Sequence, residues 1–402
     1  MSYTLSSNKR SGGEMREFIF GFVLFISLFA IGAETVFGSN RELSNPTISS
    51  EAAIVIEAKT GKVLFEKNSK TQLLPASITK IATAIYAIEK GNLNDMVTVS
   101  ENARNVEGTR VYLEIGEQVS LKKLIQGLLI NSGNDAGVAI AEHLDGSVEH
   151  FANNLNQYLR DTIGVVNTHF ENPHGLYHPN HLTTAEDMAK ITQYAMQNKV
   201  FREIFSTKEI RWKGQAWDTT IYTHHKLMRE KPYEGVNGGK TGYIKQSGHT
   251  LVTTAQRKNL NIIVVTMKAP SQNSAYRDTE KLLDYAFNNF QNTIIQKNTQ
   301  FTTEENHFIN DESLYITHQI GEKVKEDIYQ NGLLKVTNEH NEILGSFQLK
   351  KLKTINDKND SSKEILLEQN KVLDINLNYL VLVAIFVSLG IMGLLFFETR
   401  KI

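Results

Sequence analysis

Apolar positions along this chain follow three patterns, and each pattern predicts a different element. Short continuous runs of strand length form the first pattern, and they come in two clusters. AAIVIEA (52–58) is followed across Lys59-Thr60-Gly61 by KVLFEK (62–67), which reads as a β-hairpin with the tripeptide at its tip. TGYI (241–244), HTLVTTAQ (249–256) and NIIVVTM (261–267) read as three more strands joined by tight connections. Between the clusters the apolar period is helical. LKKLIQGLLI (121–130) carries apolar residues at 121, 124, 125, 128 and 129, and RDTEKLLDYAFNNF (277–290) reads as a closing helix. The expected fold class is α+β: a five-stranded antiparallel sheet flanked by helices, built from both ends of a domain over 45–292, with a helical insertion. LLKVTNEHNEILGSFQL (333–349) predicts a further β-hairpin, within a small β-rich domain and polar linker over 295–370.

Long apolar runs at the two ends form the third pattern. Lys9, Arg10 and Arg16 precede FIFGFVLFISLFAIGA (18–33), which reads as an export signal or a short retained anchor within 1–38. At the other end, Tyr379–Phe397 has no charged residue and is long enough for one transmembrane helix. Arg400 and Lys401 then place the 398–402 tail in the cytoplasm and the body outside the membrane. A net formal charge of −1 gives no electrostatic case for nucleic acid. The absence of cysteine excludes disulfides, thiolate metal sites and a thiol nucleophile.

Candidate chemistry sits in three short stretches. In LLPASITKIATA (73–84), Ser77 and Lys80 are three residues apart, so a helix opening at Pro75 or Ala76 puts both on one face. A serine hydroxyl needs a base, and a lysine serves if burial or a second cation lowers its pKa. Ser-x-x-Lys recurs at Ser6/Lys9 and Ser120/Lys123, so the triplet alone is weak; Ser120 reads as the N-cap of the 121–130 helix. In NSGNDAG (131–137), Ser132 could relay a proton and Asn134 could hold a substrate amide, although an interhelical turn explains the same letters. Lys240-Thr241-Gly242 heads a predicted strand, where the lysine could depress the pKa of Lys80 and attract a carboxylate. The amide of Tyr243 could supply half of an oxyanion hole. The same tripeptide at 59–61 is a turn by its position.

Taken in order, on a helix start, an interhelical loop and a strand, these stretches resemble the low-molecular-mass penicillin-binding proteins that are serine-type D-Ala-D-Ala carboxypeptidases. PASITKIAT, NSGNDAGVAIAEHL, NPHGLYHPNHLTTAEDMAKI and GVNGGKTGYIKQSGHTLVTTAQRKNLNIIVV carry the resemblance over roughly 50–290. It implies the transpeptidase fold shared with β-lactamases, no cofactor and no metal, peptidoglycan stem peptides as substrate and β-lactams as inhibitors. It further implies Ser77 as nucleophile, Lys80 as base, Ser132 as proton relay, and Lys240 with Thr241 on the terminal carboxylate. Arg277 is a weaker candidate for that carboxylate. Ile244 departs from the family, in which a threonine often stands there, and His249 is unusual. HGLYHPNH offers His174, His178 and His181 at spacings that could suggest a metal, but the block resembles a structural turn of the family. The alternatives are a non-hydrolytic β-lactam-sensing or wall-binding module and a β-lactamase. The tail of five residues is too short for a signalling domain, and no Glu-x-x-Leu-Asn loop lies between Asn134 and Lys240.

Overall fold

The computed structural model describes residues 44–352. The export signal, most of the polar linker, the C-terminal apolar run and the tail lie outside the described residues. Among the described residues no helix is long and apolar enough to cross a membrane.

Strands β1 (Ala52–Glu57) and β2 (Val63–Lys67) form the expected hairpin, closed by Gly61 N–H donating to Glu57 O at 2.8 Å. They join β3 (Val236–Ile244), β4 (Gly248–Arg257) and β5 (Leu260–Ala269) in one antiparallel sheet ordered β2-β1-β5-β4-β3. Every residue of β1 is buried, because the strand is covered on both faces and its apolar run has no polar side to show. Five helices matter for the site: α1 (Lys80–Lys90), α2 (Leu121–Ile130), α3 (Asn134–Asp145), α4 (Ala185–Ala195) and α5 (Gln272–Asn289). α5 packs on β4 and β5, and α4 on β1 and β5. The main core runs from β1 through α1 and α2 to α3 and α4.

Two elements begin earlier than the pattern predicts. β3 starts at Val236 rather than 241, and α5 starts at Gln272 rather than 277, capped by the Ser271 hydroxyl accepting from Ser274 N–H. The chain leaves α5 directly into β6 (Phe290–Ile295), which pairs antiparallel with β7 (Leu314–Gln319). β8 (Val324–Ile328), β9 (Leu333–Asn338) and β10 (Ile343–Gln348) form a second small sheet, and β9 with β10 is the hairpin expected over 333–349. A separate apolar cluster of Ile295, Phe308, Ile316, Leu334, Val336 and Leu349 holds this β-rich part together.

Candidate active site

Ser77 stands not in the first turn of an α-helix but in a 3-10 turn, Ala76–Thr79, that feeds α1. The two side chains still meet, with Lys80 Nζ 3.0 Å from Ser77 Oγ. The turn is tightly held. Ala76 sits in the left-handed region at φ 50°, a conformation that survives only when its surroundings enforce it. Thr250 Oγ1 donates to Pro75 O at 2.8 Å, and Thr79 Oγ1 donates to Ala76 O at 2.8 Å. His181 supports Thr79 in turn. Its Nδ1 accepts from Glu171 N–H at 3.0 Å, so its Nε2 carries the proton and donates to Thr79 Oγ1 at 2.9 Å. Gly175 and Gly242 close the remaining sides. A Cβ on Gly175 would lie 1.9 Å from Ala76 O, and one on Gly242 would lie 2.8 Å from Ser77 N.

Lys80 is fully buried. Besides Ser77 it contacts Asn134 Oδ1 at 2.7 Å and the His174 carbonyl at 2.6 Å. Burial, and then the nearby Lys240 cation, hold its pKa well below the ordinary lysine value, against the opposing pull of Asp135. A neutral amine has two N–H groups and one lone pair. Two of its partners here are carbonyl oxygens that can only accept, so the lone pair is left for the Ser77 O–H. Lys240 is also buried, with Nζ donating to Thr241 O at 2.8 Å, and burial brings its pKa down to about 7.

Ser132 lies at φ 62° in the loop between α2 and α3 and is nearly buried. Asn134, at the start of α3, is fixed by its Nδ2 donating to Glu107 O at 2.7 Å and its N–H donating to Thr109 O at 2.7 Å. Its neighbour Asp135 is fully buried and accepts from Val111, Leu113 and Ala136 N–H, locking the 109–113 loop beside the site. Ser77, Ser132, Thr241, Gly242 and Tyr243 line one cleft of about 380 Å3, with Thr109, His224, His249 and Tyr276 also on its wall. A larger groove of about 750 Å3, walled by Lys59, Gln193, Thr254 and Tyr315, contains neither Ser77 nor Lys80.

The structure thus brings together Ser77, Lys80, Ser132, Asn134, Lys240, Thr241, Gly242 and Tyr243. Arg277 is exposed, and its only hydrogen bond among the described residues is to Ser274 Oγ at 3.4 Å; the part of α5 that lines the cleft is Gln272, Ala275 and Tyr276. Ser120 caps α2 as its position suggests, accepting from Lys123 N–H at 3.3 Å. Lys59-Thr60-Gly61 is a hairpin turn. Sequence reasoning missed the His174 carbonyl, Gly175, Thr250 and the Thr79–His181 pair. His249 stacks on the exposed Tyr243 ring at 4.4 Å, so two aromatic side chains face the cleft mouth.

Residues 39–271 match the family model described as D-alanyl-D-alanine carboxypeptidase. The chain is 34% identical to D-alanyl-D-alanine carboxypeptidase DacF of Bacillus subtilis over 62% of its own length and 65% of that protein, just under two thirds of the relative. It is 33% identical to DacA of Haemophilus influenzae over 66% of this chain and 68% of that one. The crystal structure of penicillin binding protein 5 from Haemophilus influenzae superposes with a TM-score of 0.68 at 26% identity, covering 77% of this chain and 98% of the other.

Proposed function

The chain belongs to the D-alanyl-D-alanine carboxypeptidase family of serine peptidases, and on that premise we propose that it removes the terminal D-alanine of peptidoglycan stem peptides through an acyl-enzyme on Ser77. The observation that carries this reading is the environment of Lys80: a buried amine 3.0 Å from Ser77 Oγ whose other two partners accept hydrogen bonds only. Lys80 takes the proton of Ser77 as the oxygen attacks the carbonyl between the two terminal D-alanines. The oxyanion that forms is held by the amides of Ser77 and Tyr243. Ser132 passes a proton to the leaving amine, D-alanine departs, and water hydrolyses the ester. Lys240 and Thr241 hold the terminal carboxylate, and Asn134 both steadies Lys80 and faces the substrate amide. Burial of Lys80 supports its role as the neutral base, and the Lys240 cation beside it lowers the Lys80 pKa further. Penicillins acylate the same serine because the β-lactam carbonyl stands where the D-Ala-D-Ala carbonyl would.

Residues 45–292 form the catalytic domain in this proposal, and the β-rich part from 295 holds it away from a membrane anchored by the 379–397 apolar run, on the extracytoplasmic face. The test is release of D-alanine from diacetyl-Lys-D-Ala-D-Ala together with labelling by a fluorescent penicillin. Ser77→Ala loses both. Ser120→Ala, in the capping serine of α2, keeps both. Labelling retained in the Ser77 variant refutes the nucleophile assignment.

A further inference from the structure

Beside the cleft lies a group of aromatic residues that the reaction itself does not use. Tyr112 is a non-glycine residue at φ 57° and is 44% exposed, although Val111 and Leu113 on either side are completely buried. An exposed tyrosine held in the left-handed region between two buried neighbours is there because the backbone is held, not because the ring is. Asp135 does the holding, by accepting from Val111 N–H at 3.0 Å and Leu113 N–H at 3.2 Å. The ring of Tyr112 meets Trp217 edge-to-face at 4.9 Å, and the Arg110 guanidinium lies 5.5 Å from its centre.

Trp217 is presented by the hairpin of Glu209–Lys213 and Asp218–Tyr222. The hairpin tip is pinned by a second buried carboxyl group: Glu117 accepts from Gln215 N–H at 3.2 Å and from Glu114 N–H at 3.0 Å. Two buried acidic side chains, one adjacent in sequence to Asn134, therefore fix an exposed tyrosine and a tryptophan that is half-buried against the main core. The platform adjoins the cleft along the chain, although Arg110, Tyr112 and Trp217 do not line it. Thr109 is on the cleft wall, and three residues of extended chain put the Tyr112 backbone within about 10 Å of it.

We propose that Arg110, Tyr112 and Trp217 form an accessory subsite that seats a pyranose ring of the glycan strand bearing the stem peptide. This rests on the carboxypeptidase reading above and adds the substrate portion beyond the peptide. The chemistry fits a sugar: the exposed Tyr112 ring, backed by the half-buried Trp217, takes the C–H face of a pyranose, and the guanidinium donates to its hydroxyl and acyl oxygens. A rigid platform keeps the entropic cost of binding low, which is what two pinning carboxyl groups achieve.

The experiment compares three substrates on the full chain: diacetyl-Lys-D-Ala-D-Ala, the sugar-free stem pentapeptide, and the same pentapeptide on its N-acetylated disaccharide. Tyr112→Ala and Trp217→Ala raise KM for the disaccharide pentapeptide roughly tenfold, leave its kcat unchanged, and leave both sugar-free peptides as in the parent. Tyr112→Phe keeps the parent KM. An equal loss on all three substrates makes the rings structural and overturns the proposal. A loss shared by the sugar-free pentapeptide makes the platform a peptide subsite and also overturns it. No loss on any substrate does the same. If the parent chain releases no D-alanine from any of the three, the carboxypeptidase reading fails instead, and calorimetric titration of the disaccharide pentapeptide into parent and Trp217→Ala still decides the subsite: tighter binding to the parent supports it, and equal binding overturns it.

Discussion

At the scale of single residues, the proposed mechanism rests on two lysines with opposite duties. Lys80 has to be neutral to act as base, so its contribution is present above its lowered pKa and lost as pH falls through it. Lys240 has to be charged to hold a carboxylate, so its contribution is present below about pH 7 and lost above it in the free enzyme. The expected profile of kcat/KM is a bell whose alkaline limb lies near pH 7. Lys240→Arg carries a guanidinium that stays charged, and it should move that limb upward by two or more pH units while lowering the rate at the optimum. A limb that stays put in this variant means another group sets it. Thr250 offers a second check. Thr250→Val keeps the shape but removes the donor to Pro75 O, and it should lower kcat about tenfold with little change in KM, because a displaced nucleophile loses rate before it loses binding. Thr250→Ser should restore most of it. That Ser77, Lys80, Ser132, Asn134 and Lys240 would be brought together was legible in the sequence, because the proposed chemistry needs those side-chain types in that order. The His174 carbonyl was not, since every residue has one, and only the fold decides which of them meets a buried amine.

At the scale of elements, the strands were legible wherever burial on both faces makes an unbroken apolar run, as in β1 and β5. The early start of β3 was hidden because Gly238 and Gly239 carry no pattern. Gly239 is small for packing reasons, since a Cβ there would lie 2.2 Å from the His225 ring. The start of α1 was misread for a related reason. Ser77 and Lys80 at a spacing of three fit either an α-helix or a 3-10 turn, and the choice is made by contacts from distant parts of the chain. Gly175 is the sharpest of these contacts. It has φ 87°, and its missing Cβ is where the Ala76 carbonyl sits. Gly175→Ala should therefore push the whole 3-10 turn. Penicillin acylation should slow by at least a hundredfold, about 2.7 kcal/mol, against about 1–2 kcal/mol for an ordinary Gly→Ala change at a left-handed position. Acylation within a few-fold of the parent would show that the turn can move aside freely and that the nucleophile is not held as tightly as its contacts suggest.

At the scale of the whole molecule, the first Lys-Thr-Gly has a purpose of its own. Glu57, at the end of β1, is fully buried. One carboxyl oxygen accepts from Lys59 and Thr60 N–H, each at 2.7 Å, and so shapes the turn. The other accepts from Asn261 N–H at 3.1 Å in β5 and from Asn292 Nδ2 at 3.0 Å in β6. Asn292 Oδ1 accepts from Thr317 Oγ1 at 2.8 Å in β7, and the Thr317 hydroxyl is 2.8 Å from that of Thr60. One side chain thus ties the edge hairpin, the central strand and the β-rich part into a single polar joint. Neither its burial nor its link to the β-rich part could be read from the sequence, because Asn261 and Asn292 lie more than 200 positions away. Glu57→Ala removes the acceptor of five donors, three of them able to recover water at the exposed turn. The expected cost is about 2–4 kcal/mol, seen as a fall of several degrees in Tm. The joint lies away from the cleft lined by Ser77, so kcat for D-alanine release at 25 °C should stay within about twofold of the parent while Tm falls. A Glu57→Ala enzyme with unchanged Tm but reduced kcat would mean the joint acts on the catalytic sheet itself rather than on how the two parts are held together.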